Sequence, residues 1–593
     1  MAHPIINIIK TEWKFLGKRR PLFLFYIFLF LIAGAVHLFT PFVIGTIFNS
    51  IQQTITSRGE LLTLIYKILL LLLIVLVFWA FHGVARVLEI TTGFFVKRNY
   101  ISDKIRIILK LPIKWHKDNH SGDTIDKINK AASGIGEFSE ITYLLIYGLI
   151  DFLGSIIFLL FIDFKIGLFA LIFSLVTIFI ISRVDKVLER KYKELNGFNN
   201  KLSASIFDYV SNMSTVITLR LKKTVSEEID AKQNVAYPVQ KSSTIINELK
   251  WGFASISIEC MIVAALVYRT YTEFNATGAI LIGTLYMLYG YLNQVGETFY
   301  KFADLYGTII RDNAAITSAY PLDNEYAKLR ETRITNLPRD WKTLELKNVS
   351  FTYDVGSKVT HLENINFTFK KGQKIALVGE SGSGKSTILA LIRGLYDLEK
   401  GEVYCDSIKV IDGVKTIREH VTLIPQEPEI FNNTFEYNIT MNLSVNKDEL
   451  NKFVRMSQLS NVIDRLPKGL QTSVMEKGVS LSGGEKQRLA LARGLLAARN
   501  SEIVLLDEPT SSVDSINEIK IHDNIFNSFK NKTIISSIHR LHLLDKFDYI
   551  YLFSRGKIIA QGNFDEMKKN ILFHSMWVKY NKEKRSDKNL IKK

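Results

Sequence analysis

Six long apolar runs crowd the first half of this chain, at residues 21–51, 61–88, 141–162, 166–182, 253–267 and 279–302. A hydrocarbon layer takes about 20 apolar helical residues to cross, and backbone placed in lipid must satisfy its hydrogen bonds internally. The fourth and fifth runs are marginal in length. Six in succession nevertheless predict an all-α membrane region, read as residues 1–310, rather than a set of buried soluble helices. The first run follows Lys10, Lys14, Lys18, Arg19 and Arg20, as a signal peptide would. Its apolar stretch is about twice the length such a segment needs, so it is read as an uncleaved span.

The connections between the runs alternate in character. Residues 50–60, 163–165 and 269–278 are short and carry little charge, whereas residues 97–130 and 183–250 are long and rich in Lys and Arg. Basic loops remain on the cytoplasmic side. The N-terminus, both long loops and everything after the sixth run are therefore expected in the cytoplasm, in a multi-pass protein of a bacterial inner (plasma) membrane. The same bias accounts for a net charge of +17, so no nucleic-acid partner is expected. The two cysteines, Cys260 and Cys405, offer no disulfide framework and no paired metal site. Both long loops have helical composition, which predicts helices running well past the bilayer with turns near residues 115–124 and 207–213. Few polar residues enter the runs: His37, Lys67, His82, Asp151, Glu259, Asn293, Gln294 and Glu297. Asn293, Gln294 and Glu297 share one helical face, either lining a pathway or bonding between helices.

Residues 311–343 read as a polar linker, 344–580 as a soluble α/β domain and 581–593 as a basic tail. Within the α/β domain, the buried strand pattern Lys374–Gly379 runs into Gly379-Glu380-Ser381-Gly382-Ser383-Gly384-Lys385-Ser386 and then, from Thr387, into helix. That is the phosphate loop of a P-loop ATPase, whose amides and helix N-terminus face phosphate. Lys385 is expected on the β and γ phosphates of ATP and Ser386 on Mg²⁺. A second buried strand, residues 503–507, ends in Asp507 and Glu508. Asp507 is expected to hold Mg²⁺ and Glu508 to polarise the attacking water. Downstream of the phosphate loop lies Leu481-Ser482-Gly483-Gly484-Glu485, a second phosphate-binding device. One chain cannot easily use both devices on a single nucleotide, so two such domains are expected to close face to face.

Phosphate loop, LSGGE, LLDEP and a later lone histidine, in that order, resemble the ATP-binding cassette (ABC) family. Six spans ahead of one cassette resemble its half-size exporters of the multidrug, lipid and peptide type. The resemblance implies further roles: Tyr353 stacking on adenine, Gln426 reaching Mg²⁺ and water, and Ser482 with the amides of Gly483 and Gly484 binding the partner's γ-phosphate. It also places Asp514 in the loop between subunits and His539 on the γ-phosphate, orienting Glu508. Glu476-Lys477-Gly478 is similar to an exporter-specific segment. Glu485 stands where the family more often has glutamine. These residues together imply ATP-driven export by alternating access, with a second copy or a related half-transporter as partner. The cargo that the resemblance implies is a small molecule, lipid or peptide, with membrane lipid expected around the spans. Two other classes compete. Chromosome-maintenance ATPases share the Ser-Gly-Gly device but need long coiled coils, and no sustained heptads separate Lys385 from Asp507. A membrane-bound regulator or receptor ATPase would carry the same motifs without moving a substrate.

Overall fold

The computed structural model describes residues 3–53, 55–329, 337–353, 360–474 and 481–578. They form two compact units, residues 1–110 with 120–328 and residues 111–119 with 329–593. The Glu476–Gly478 segment and the 581–593 tail lie outside the described residues.

The first unit is helical. It comprises α1 (Pro4–Leu16), α2 (Arg20–His37), α3 (Thr40–Gln52), α4 (Arg58–Lys110), and, after the short α5 (Ile113–Asp118), α6 (Ser121–Ile162), α7 (Phe164–Ser211), α8 (Met213–Thr218), α9 (Lys222–Thr277), α10 (Ile282–Ser318) and α11 (Tyr320–Lys328). The first apolar run is broken between α2 and α3. Pro41 has no N–H to donate, and its ring crowds the carbonyl of His37 four residues back. The marginal fourth and fifth runs are segments of α7 and α9, helices of 48 and 56 residues. At 1.5 Å per residue these are roughly 70 to 85 Å long, more than twice a hydrocarbon layer.

Among the described residues five helical stretches are long and apolar enough to cross a membrane: Pro4–Gln52, Arg58–Lys110, Ser121–Ile162, Phe164–Ser211 and Lys222–Thr277. The sixth run forms α10, a 37-residue helix. Tyrosines and the amide-rich patch around Asn293 dilute its apolar content, and it packs against α6, α3 and α9. Gly45 and Gly283 let α3 and α10 meet backbone to backbone. A Cβ on Gly283 would lie 1.9 Å from the Gly45 carbonyl oxygen and 2.4 Å from Asn49 Oδ1. Small residues permit this approach where no solvent-driven burial favours association.

Polar groups fasten the helices at a few points. Asp163 caps α7 by accepting from the amides of Lys165 and Ile166, and it pairs with Arg269 of α9 at 3.1 Å. Lys301 pairs with Asp151 at 3.0 Å. The Ser155 hydroxyl donates to Gln294 Oε1 at 2.9 Å, so Gln294 bonds between α6 and α10. Asn293 bonds instead to Glu297 of its own helix, and Glu259 is exposed. Lys67 donates to Ser50 Oγ at 2.7 Å, and His82 meets the Tyr147 hydroxyl at 2.8 Å.

The polar stretch after residue 310, expected as linker, begins as helix. α10 continues to Ser318 and α11 to Lys328, because both are tethered to the unit: Asn7 bonds Asn313, and buried Lys104 pairs with Asp323 at 2.5 Å.

The second unit is α/β. An antiparallel sheet, in order β2 (Leu362–Lys370), β1 (Thr343–Phe351), β4 (Lys400–Cys405), β5 (Ile408–Lys409), accompanies a six-stranded sheet. The larger sheet runs β10 (Lys557–Gly562), β9 (Tyr549–Ser554), β3 (Lys374–Gly379), β8 (Thr533–Ser537), β7 (Ile503–Asp507), β6 (Val421–Ile424). The strands from β9 to β6 are parallel, with only β10 antiparallel. β7 and β8 are buried along their whole length, as parallel strands covered on both faces must be. The α5 helix, from the first long loop, belongs to this unit and not to the helices that flank it in sequence.

Candidate active site

Parallel strands deliver functional groups at their carboxyl ends, where ligands bind in open α/β sheets. β3 leads into the phosphate loop, and α12 (Lys385–Ile392) starts at its far side. The middle of the loop, Ser381-Gly382-Ser383, turns at Gly382 with φ +77°. Gly384 has φ +109°, and a Cβ there would meet Leu362 at 2.7 Å, so only glycine fits. Lys385 is 4% exposed, and its ammonium donates to the carbonyls of Gly379 at 2.9 Å and Glu380 at 3.0 Å. Burial pulls its pKa down while the nearby Glu508 and Asp507 oppose that pull. Among the described residues the Ser383 hydroxyl is buried in the loop without a partner. A buried cation on neutral carbonyls and an orphaned hydroxyl make a cradle that suits phosphate.

The neighbouring strand ends complete the constellation. Asp507 Oδ1 accepts from Ser386 Oγ at 3.0 Å and from Ser537 Oγ at 2.8 Å. These hard oxygen donors fit Mg²⁺. Glu508 lies between His539, expected to orient it, and Gln426, expected on Mg²⁺ and water: Gln426 Nε2 donates to its Oε2 at 2.8 Å, and His539 Nε2 bonds its Oε1. Its backbone is held in the left-handed region at φ +47°, with its amide donating to Ser537 Oγ and its carbonyl accepting from Gln487 Nε2. A non-glycine residue there is strained, and such strain gathers at functional sites.

Tyr353 packs edge-on against Phe351, His361 and Tyr396, and its hydroxyl donates to Thr387 Oγ1 at 3.3 Å. The Lys117 ammonium of α5 stands 5.5 Å from the ring centres of both Tyr353 and Tyr396. Lys114 of the same helix reaches the Tyr353 carbonyl.

Ser482, Gly483 and Gly484 open the Gly483–Ala497 helix. The bonds of Ser482 run to Glu485 and Lys486, and among the described residues none joins it to the phosphate loop of its own chain. Gly484 lies against the loop after β7, where a Cβ would be 2.8 Å from the Ser512 carbonyl oxygen. Asp514 caps the Ser515–Ser528 helix through Asn517.

Several residues are not visible as functional in the motifs. Ser537 pairs in register with Asp507 across β8 and β7, which places its hydroxyl on that carboxylate. Its position at a strand end, two residues before His539, is the available signal. Gln487 bridges Glu508, Ser511 and Ser512. Arg540 joins Glu518 at 2.9 Å and the carbonyl of Val513 at 2.8 Å. Only the fold brings those residues together.

Comparison with known proteins finds matches to both units. The model of the ABC transporter transmembrane region matches residues 23–299, and the ABC transporter cassette model matches residues 362–511. An iron-sulfur clusters transporter ABCB7, mitochondrial, of Oryzias latipes is 29% identical over 62% of this chain and 49% of its own length. The chain thus spans about half of that relative. An ATP-dependent lipid A-core flippase of Shewanella frigidimarina is 27% identical over 77% of this chain and 76% of its own. A bacterial Atm1-family ABC exporter solved with ATP bound shares the fold, with a TM-score of 0.80 at 21% identity, covering 94% of this chain and 98% of that one. A membrane-spanning helical unit and an ATP-binding cassette are therefore fused in one polypeptide, and the chain belongs to the ABC transporter family.

Proposed function

We propose that this multi-pass membrane protein is one half of an ATP-driven exporter and that two copies form the working unit. The observation that carries the reading is the Glu508 carboxylate, held between Gln426 and His539 at the end of a buried strand and beside the phosphate loop. In that position it accepts the proton of a water attacking the γ-phosphate while His539 fixes its orientation. Lys385 and the loop amides bind and orient the phosphates, and Tyr353 positions adenine. Mg²⁺ would be held by Ser386, Asp507 and Gln426, and when bound it neutralises charge on the phosphate oxygens.

Two features of the single chain support dimerisation. The bonds of Ser482 run to Glu485 and Lys486 of its own turn, which supports a reading in which it serves the partner's nucleotide, with Asp514 in the loop between subunits. The tip of the second long loop, around the break at Asn212, exposes Phe207, Ile217 and Leu219 by 60%, 52% and 60%. Apolar side chains clustered at a polar extremity call for a protein surface to cover them. A symmetric pair supplies one. ATP-bound closure then favours one access state of the spans and hydrolysis restores the other. The loop charges support a cytoplasmic N-terminus and cassette in a bacterial plasma membrane.

An amphiphile is the cargo best supported. The helical unit holds a cavity of about 500 Å³ lined by α1, α6, α7 and α10, with Phe152, Ile181, Phe299 and Leu305 as walls and Asp185 and Lys186 as charged members. An apolar chamber with a few charged groups suits a molecule with a tail and a polar head. The test is ATP-dependent movement of a labelled amphiphile in proteoliposomes, with Glu508→Gln as the blank. We expect that variant to lose turnover by about 10²-fold or more and to abolish transport. Full turnover in Glu508→Gln would remove the assignment, and ATP hydrolysis without movement of any amphiphile would favour a regulatory role.

A further inference from the structure

The turn that begins with Ser482 carries its own anion. Ser482 is the N-cap of a 15-residue helix, and Glu485 is the third residue of that helix. The two close a capping box. The Glu485 amide donates to Ser482 Oγ at 3.3 Å, and the Ser482 amide donates to Glu485 Oε2 at 2.9 Å. The Ser482 hydroxyl also donates to Oε2, at 2.8 Å. A serine hydroxyl has a single proton to give, and here Glu485 holds it. The other carboxylate oxygen, Oε1, takes Nη2 of Arg465 at 3.1 Å, and Arg465 is itself anchored through Nε to the Asn461 carbonyl. The bonds from Ser482 keep the Glu485 carboxyl below its usual range, with Arg465 and Arg488 adding to the effect, so it is charged at neutral pH.

We propose that Glu485 is a built-in competitor for the terminal phosphate of ATP at Ser482, and that Arg465 is the counter-charge that sets its strength. The inference rests on Ser482 binding nucleotide across the dimer, as proposed above. An incoming phosphate must take the hydroxyl proton from Glu485 and approach a negative charge at the same turn. One hydrogen bond replaces another, so little is gained there, while like-charge repulsion is added. The amide bond from Ser482 keeps the helix capped throughout. Arg465, side-chain exposure 68% against 21% for Glu485, offsets part of the repulsion from the solvent side. Closure is thereby weakened and reopening eased, a use for glutamate that glutamine at this position would not serve.

Glutamine completes the same capping box without the charge, so Glu485→Gln separates charge from fold. The experiment uses the full-length chain in lipid nanodiscs, in a Glu508→Gln background that halts turnover. The quantity read is the ATP concentration giving half-maximal nucleotide trapping. Glu485→Gln should lower that midpoint about three- to tenfold, the scale of one screened charge contact. A gain in affinity is not something structural damage would produce. Arg465→Met should raise the midpoint about twofold with Glu485 present and leave it unchanged alongside E485Q, because the arginine acts through that charge. A midpoint within about twofold of the parent for E485Q, or a higher one, would overturn the competition. An equal effect of Arg465→Met in both backgrounds would overturn the counter-charge. Ser482→Arg serves as the reference. If it leaves trapping intact, the cross-dimer reading falls and takes this inference with it. If it abolishes trapping while E485Q changes nothing, only the present inference fails.

Discussion

The helical unit and the cassette reach a defined structure by different physical routes. In the cassette, backbone geometry is written into short motifs: Gly384 at φ +109°, Glu508 at φ +47°, and carboxylates at the ends of fully buried strands. In the helical unit, apolar length brings the helices into the membrane, and their pairing depends on a few close approaches and polar ties. The Gly45–Gly283 contact, Asp163–Arg269 and Ser155–Gln294 are such points. Errors should therefore be local and chemical in the cassette and global in the helical unit.

The largest effect expected on that contrast comes from Gly283→Leu. A side chain there must displace the Gly45 backbone, 1.9 Å from the ideal Cβ, and overpacking of this kind costs about 3 kcal/mol or more. We expect the detergent-extracted variant to lose monodispersity and transport while its cassette stays folded. The two cysteines allow this to be read. Cys260 is exposed in the helical unit and Cys405 is buried in the cassette, so protection of Cys405 from thiol labelling reports the cassette alone. Simultaneous exposure of Cys405 would mean that the two units do not fold independently.

A smaller effect sharpens the cassette side. His522 is fully buried with both ring nitrogens unpartnered among the described residues, packed near Phe526 and Phe547, and burial lowers its pKa to about 4, helped by Lys546 and His542 and opposed by Asp523. The unfolded chain takes up this proton near pH 6.5. Stability from the neutral ring is therefore present above about pH 6.5 and lost as pH falls toward about 4, by up to about 3 kcal/mol. His522→Leu should flatten that part of the profile when Cys405 labelling is followed against pH in a Cys260→Ser chain. An unchanged profile would assign the acid sensitivity elsewhere.

The same contrast governs what is legible in the sequence. In the cassette the phosphate loop is legible because its residues are contiguous and run straight from a buried strand into a helix. Glu508 follows from its motif, and Tyr353, Gln426 and His539 from the family resemblance; the side chains of Gln426 and His539 converge on the Glu508 carboxylate. Ser537, Gln487 and the Arg465–Glu485 pair do not, since each acts through a partner that only the fold brings near. In the helical unit, the six apolar runs all fall largely within helices, and the helical composition of the long loops predicts that these helices run past the bilayer. The runs do not predict the break at Pro41 within a continuous apolar run, or the helical character of residues 311–328. The polarity of that stretch resembles a linker, but tethers to Asn7 and Lys104 hold it in the unit. Periodicity reports which face is apolar and not which helix will cover it.

Two copies sharing each ATP site is the central claim, and complementation tests it most directly. One chain carries Lys385→Met, which disables its phosphate loop, and the other carries Ser482→Arg, which disables its signature turn. Either variant alone gives a homodimer with both sites broken. In a heterodimer isolated through two different affinity tags, an intact phosphate loop faces an intact Ser482 at one site only. ATP turnover should return there, to about half the wild-type rate per dimer if the sites act independently. Background turnover in correctly assembled heterodimers would show that Ser482 serves its own chain's nucleotide and would contradict the shared site.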